Sequence, residues 1–159
     1  MRVRIVVADQ SEARFYDAEH RDGALHAAGV LTDPQAHLHD RDFKSDRPGR
    51  VYDHAPDRGA RRGATAHHGT GGERRPRRHE AQLFARRIAE QVQLAYRQNA
   101  FDRLILMAPP GFLGLLREAL PASVRAIVAG EVGKSLVHEE APAVAAHVPA
   151  DAFRIIESA

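Results

Sequence analysis

Asp9 and Glu80 are two acids of this chain whose type and setting could serve catalysis. Carboxylates that converge on divalent cations can activate water and stabilise a leaving oxygen. Asp9 closes a short apolar run, Val3-Arg4-Ile5-Val6-Val7-Ala8, and Glu80 falls near the start of a helical pattern. Both are candidate ligands for such a hydrolytic centre. A third acid is wanted at the end of the next apolar run, but Ala108-Pro109 stands there instead. The simpler role for Asp9 is a turn carboxylate that accepts from the backbone N–H of Ser11 or Glu12.

The second chemical feature is cationic. Residues 41–79 carry eleven Lys and Arg against five Asp and Glu, a local balance of +6 in a chain of net charge +2. Arg47, Arg50, Arg61, Arg62, Arg74, Arg75, Arg77 and Arg78 form a candidate anion- or nucleic-acid-binding set. The segment reads as a flexible basic loop from 41 to 79, ending in Gly69-Thr70-Gly71-Gly72-Glu73 before a helix. Asp46-Arg47-Pro48-Gly49-Arg50 reads first as a Pro-Gly turn braced by an ion pair. Arginine outnumbers lysine 21 to 2, which genomic base composition explains as well as phosphate recognition does. Phe43 and Tyr52 are the segment's aromatic residues, so base stacking has little to work with and contacts to a phosphate backbone are what remain.

Other motifs lead to less. His37, His39 and Asp40, and His67, His68 and His79, have ligand chemistry but no metal-binding spacing, so no metal site is expected. Gly133-Lys134-Ser135 imitates the end of a phosphate-binding loop, but Val128 stands where that motif needs glycine. His54, His67 and Ser11 suggest no hydrolase triad, since no Gly-x-Ser-x-Gly elbow occurs. Pro110-Gly111 should open a helix and turn the backbone N–H groups of Phe112 and Leu113 toward an anion. Arg117 is expected against core acids or phosphate, with Phe112, Leu113 and Leu116 in the core. No cofactor is expected.

At 159 residues and 43% hydrophobic, the chain is expected to form one domain over 1–159 with a substantial core. The absence of cysteine excludes disulfides and thiolate metal sites. Mean hydropathy is −0.42, no run approaches a bilayer span, and the start is too soon charged for a signal peptide. A cytoplasmic location without membrane association is therefore expected.

The elements that must hold these residues follow from periodicity. Val3–Val7, Ala13–Ala18 and Ala24–Leu31 read as three strands with short links, an antiparallel meander. Asp33-Pro34 stops it, and Gln35–Asp40 suggests a helical turn. Ala81, Phe84, Ala85, Ile88, Val92 and Ala95 make one apolar stripe of a helix that begins near Pro76 and runs to about Asn99. Leu104–Ala108 and Ala126–Val132 read as parallel strands around a helix at Phe112–Leu120. A closing helix over Ala141–His147 and a turn in 151–157 complete the chain. The order predicts an α/β fold: a ribonuclease H-like mixed five-stranded sheet, order 3-2-1-4-5, with helices on its faces. A flavodoxin-like fold competes but needs a helix between the first two strands, where only a turn fits.

Several blocks stand out, Val7-Ala8-Asp9 with Ala13-Arg14-Phe15, Ser45-Asp46-Arg47-Pro48-Gly49-Arg50, His79-Glu80 with Phe84-Ala85, Phe101-Asp102-Arg103-Leu104, and Ala108-Pro109-Pro110-Gly111-Phe112-Leu113-Gly114, of which Ser45–Arg50 and Pro109–Gly114 are distinctive. In these blocks the chain resembles a bacterial family named for attachment to host cells, from about residue 3 to 148. That family in turn resembles the middle domain of archaeal and eukaryotic class-1 peptide release factors. These carry a Gly-Gly-Gln loop that places water against the peptidyl-tRNA ester. The resemblance implies candidate catalytic positions at Gly71, Gly72 and Glu73, with Glu73 replacing the glutamine. A carboxylate cannot donate the amide hydrogen bond and is repelled by phosphate. Simple loop flexibility is the plainer role for the paired glycines.

Together these readings predict a non-catalytic or weakly catalytic domain that contacts RNA or the ribosome through its basic loop. The alternatives are an indirect factor in adhesion without nucleic-acid binding, and a peptidyl-tRNA or nucleic-acid hydrolase. Nothing in the sequence identifies a protein partner or an oligomeric state.

Overall fold

The computed structural model describes residues 1–34 and 63–154, with side chains throughout those ranges except 63–76. Five strands, β1 (Val3–Ala8), β2 (Glu12–Ala18), β3 (His26–Thr32), β4 (Arg103–Met107) and β5 (Val128–Val132), form one sheet in the order β3-β2-β1-β4-β5. β1 runs antiparallel to β2 and parallel to β4, and β4 is parallel to β5. The helices are α1 (Gly63–Arg97), α2 (Pro110–Ala119), α3 (Ala122–Arg125) and α4 (Ala141–Ala146), followed by a 3-10 turn at Ala150–Phe153. This is the α/β arrangement and strand order the periodicity predicts. Only Asp9-Gln10-Ser11 separates β1 from β2, which excludes the flavodoxin-like alternative.

β1 is the centre of the sheet, and every residue in it is buried. Alternate side chains serve two cores, as the two-residue pleat requires. Val6 and Ala8 join Ala13, Phe15, Leu104 and Leu106 under α1 and α2. Val3, Ile5 and Val7 join Tyr16, Ile105, Met107 and Val144 on the opposite face. Arg4 is the one charged residue of β1, and its partner in the β1–β2 ladder is Asp17.

α1 buries the expected stripe: Ala81, Phe84, Ala85, Ile88 and Val92 are all at most 4% exposed. Phe84 meets Phe112 of α2 with ring centroids 6.1 Å apart, which joins the two helices over one core. The helix stops by a Schellman cap. Asn99 takes φ 57°, the Ala100 N–H donates to the Ala95 carbonyl, and the Asn99 N–H donates to that of Tyr96.

The start of α1 corrects the sequence reading. The helix begins at Gly63, so 63–79 are not loop, and Pro76 lies inside the helix rather than at its start. Gly69, Gly71, Gly72 and Pro76 each oppose helix by local propensity. Extending an existing helix orders one residue per hydrogen bond, whereas nucleation orders several, so a well-packed C-terminal half can carry such residues. The remainder of the expected loop, 41–62, and the turn expected at Gln35–Asp40 lie outside the described residues. α3, a single turn after Pro121, was not expected.

Candidate functional site

A cleft of about 480 Å³ opens where β1 and β4 end side by side. In open α/β sheets this crevice beyond the carboxyl ends of parallel strands is the usual ligand position. Asp9, Gln10 and Ser11 come from the β1–β2 turn, and Asp33 from the end of β3. Arg77, Glu80 and Ala81 come from α1, Pro109, Gly111 and Phe112 from the start of α2, and Ser135 from the segment after β5.

Asp9 shapes the turn. Its Oδ1 accepts from the Ser11 N–H at 2.8 Å, the Glu12 N–H at 2.8 Å and the Ser11 hydroxyl at 3.0 Å. The Asp9 N–H donates to the Glu12 carbonyl at 2.9 Å, and the Asp33 N–H to the Ser11 carbonyl at 2.9 Å. The simpler expectation for Asp9, a turn carboxylate, is what this geometry displays. Its other oxygen lies 3.7 Å from His138 Nε2, an ionic contact whenever the imidazole is protonated.

Asp9 and Glu80, far apart in sequence, do line one cleft, as a two-metal hydrolase would need. Among the described residues, however, no three His, Asp or Glu side chains are grouped so as to hold a metal ion. Among the described residues, the formal charges lining the cleft are three carboxylates, Asp9, Asp33 and Glu80, and one guanidinium, Arg77. The three carboxylates repel phosphate from the floor.

α2 begins at the cleft without a side-chain cap, with Pro110 in its first turn. The Leu113 N–H is taken by the Pro109 carbonyl at 2.8 Å, which corrects the expectation that Phe112 and Leu113 would face a ligand. Gly111 and Phe112 carry the leading N–H groups, because the helix starts at Pro110, earlier than the expected Phe112. The Phe112, Leu113 and Leu116 side chains are buried, as expected of core residues. Arg117 does not line this cleft. It donates from Nε and Nη2 to both oxygens of Glu131, and this hydrogen bond holds the Glu131 carboxyl below its ordinary value despite partial burial.

Of the other expected site residues, Arg78 and His79 are exposed on α1 beside Arg77. Gly71, Gly72, Glu73, Arg74 and Arg75 are helical in backbone. Their side chains, like those of His67 and His68, lie outside the described residues. So do Arg47, Arg50, Arg61 and Arg62, and His37, His39, Asp40 and His54. The sequence reading missed Asp33, Ser135 and His138 as neighbours of Asp9. Asp33 was visible only as the residue before a proline, and Ser135 only as part of a failed phosphate-loop match.

The model of one protein family, described as "Protein required for attachment to host cells", matches residues 4–148. The chain belongs to this family. The match takes in all of the sheet but Val3, together with α1, α2 and the cleft, so the site described above is within the family domain. Comparison with curated proteins gives no match. No helix among the described residues of this host-attachment family member is long and apolar enough to cross a membrane.

Proposed function

We propose that this host-attachment family member is a cytoplasmic, ribonuclease H-like domain that contacts RNA or the translation machinery. Its basic segment 41–79, of which 63–79 form the N-terminal half of α1, is the contacting region. The observation that carries this reading is the placement of Arg77 at the cleft with Arg78 and His79 exposed beside it. Arg74 and Arg75 precede them in the same helix, within a segment whose sequence carries an excess charge of +6. The acids on the cleft floor direct a phosphate backbone to the helix and away from Asp9. Binding of this kind releases counterions and weakens steeply as salt rises. The likeness of the paired glycines, Gly71 and Gly72, to the release-factor sequence supports RNA as the polyanion, although here both are helical. Glu73 in place of glutamine favours contact over hydrolysis.

The test is photo-crosslinking of a short single-stranded RNA to the full chain, followed by peptide mapping. Crosslinks should concentrate in peptides from residues 41–79. Crosslinks no stronger than those of a neutral control protein, or confined to the α4 face, would remove the proposal.

The family description favours a second reading, an indirect part in adhesion to host cells without nucleic-acid binding. Under it a deletion strain loses attachment while the protein stays in the cytoplasmic fraction and captures no RNA.

A further inference from the structure

We infer that β3 is a dimerisation edge, at which a second copy of this chain adds its own β3 antiparallel and continues the sheet.

The two edges of the sheet are built differently. At the β5 edge Pro149 lies so close to Gly130 that a Cβ there would meet its Cγ at 2.9 Å, and Glu131 is engaged by Arg117. A covering proline and a charge are devices that keep an edge from pairing. β3 has neither. His26-Ala27-Ala28-Gly29-Val30-Leu31-Thr32 contains no Lys, Arg, Asp, Glu or Pro, and every residue but Leu31 is exposed. Val30 is 63% exposed. A bulge in the β2–β3 register at Phe15/Tyr16 separates His26-Ala27 from a regular run, Gly29–Thr32.

The pleat determines how two such runs can meet. Residues directly opposite across an antiparallel pair must share a face, so the two-fold axis has to pass through a residue, not between residues. Leu31 and Gly29 pair with Ala13 and Phe15, which face α1, so Val30 points to the other side. An axis through Val30 places Val30 against Val30 on that side. On the α1 side it sets Leu31 against Gly29, a large residue opposite one with no side chain. No charge meets a like charge, and no bulky pair collides. A foreign strand would need matching side chains, whereas this run already complements itself, as a two-fold interface demands.

The surroundings agree. A groove of about 360 Å³ separates β3 from α1, with Gly29 and Leu31 on one side and Gln91 and Leu94 on the other. Leu94 is 52% exposed. Arg87, on the same face of α1, donates to the Thr32 carbonyl and fixes the helix beside the strand. Sheet continuation joins the grooves of the two copies into one trough walled by Leu94 from each.

Analytical ultracentrifugation of the full chain over a dilution series, with hydrogen exchange of β3 amides at each concentration, tests this. A monomer–dimer equilibrium is expected, with Gly29–Thr32 protection rising with concentration. Val30→Lys puts like charges opposite each other on the axis and should weaken the dimer about tenfold or more, while Val30→Ile should retain it. A mixture of Val30→Lys with Val30→Glu should recover dimer as the heterodimer. A wild-type chain that stays monomeric, leaving the edge to a foreign strand, overturns the proposal. So does a dimer indifferent to Val30→Lys, or β3 exchange that does not change with concentration. The wild-type exchange measurement depends on no variant folding.

Discussion

Arg4 and Asp17 stand directly opposite each other in the β1–β2 ladder, and Arg4 donates from Nε at 2.5 Å and Nη2 at 3.0 Å to the two carboxylate oxygens. The Arg4 guanidinium also lies 5.1 Å from the centroid of Phe101. Its side chain is 11% exposed and that of Asp17 34%. Removing one partner of such a pair strands the other charge, a loss of about 3–5 kcal/mol when both are fully buried. Asp17 remains partly solvated, so Arg4→Ala should cost less, about 2–3 kcal/mol. Replacing both residues with apolar ones of similar size should cost less than Arg4→Ala alone. Urea unfolding of the three proteins measures this; an Arg4→Ala midpoint equal to wild type would contradict it.

The Asp9 turn separates a structural from a catalytic carboxylate. Asp9→Ala leaves the Ser11 and Glu12 N–H groups without their acceptor and should cost about 1–2 kcal/mol, as loss of a comparable cap does. Asp9→Asn keeps an accepting oxygen and should lose much less. Thermal denaturation distinguishes the two. Equal destabilisation by both variants would show that the charge, not the accepted hydrogen bonds, holds the turn.

The Arg117–Glu131 pair gives a pH signature. The folded carboxyl lies below its ordinary 4.5, held there first by the hydrogen bond from Arg117. A carboxyl depressed on folding adds stability above its unfolded pKa and loses it as pH falls through the folded value. Glu131→Gln should therefore be less stable than wild type at neutral pH. The two should converge as pH drops below about 4.5. Denaturant midpoints across pH measure it, and a gap that persists or widens in acid has the wrong sign.

Two glycines should respond oppositely to alanine. At Gly114, inside α2, an added Cβ meets nothing within 4 Å, so Gly114→Ala should stabilise by up to about 1 kcal/mol through helix propensity. At Gly130 the Cβ would come within 2.9 Å of Pro149, so Gly130→Ala should destabilise by about 1–3 kcal/mol. Melting temperatures of the two variants provide the check.

Much of the fold was legible because its signals are periodic and local. β1 and β4 are uninterrupted apolar runs apart from Arg4 and Arg103, and the Ala81–Val92 stripe sits on one face of α1. The turn role of Asp9 was legible because its partners, Ser11 and Glu12, are two and three residues away. The start of α1 was not, since Gly71, Gly72 and Pro76 each signal a break while helix extension depends on packing elsewhere. The cleft was only half legible. Asp33, Ser135 and His138 reach Asp9 through strand pairing and the return of the chain after β5, which no local pattern encodes.

The salt dependence of RNA binding most directly tests the claim that α1 carries a phosphate-contacting basic end. Affinity for a short single-stranded RNA is measured across salt for wild type and for the variant with Arg74, Arg75, Arg77 and Arg78 all changed to Ala. Each lost phosphate contact removes about 0.7 from the slope of log affinity against log salt. The predicted result is weaker binding in the variant and a slope shallower by as much as about 3. Equal affinity and equal slope in the two proteins would contradict it.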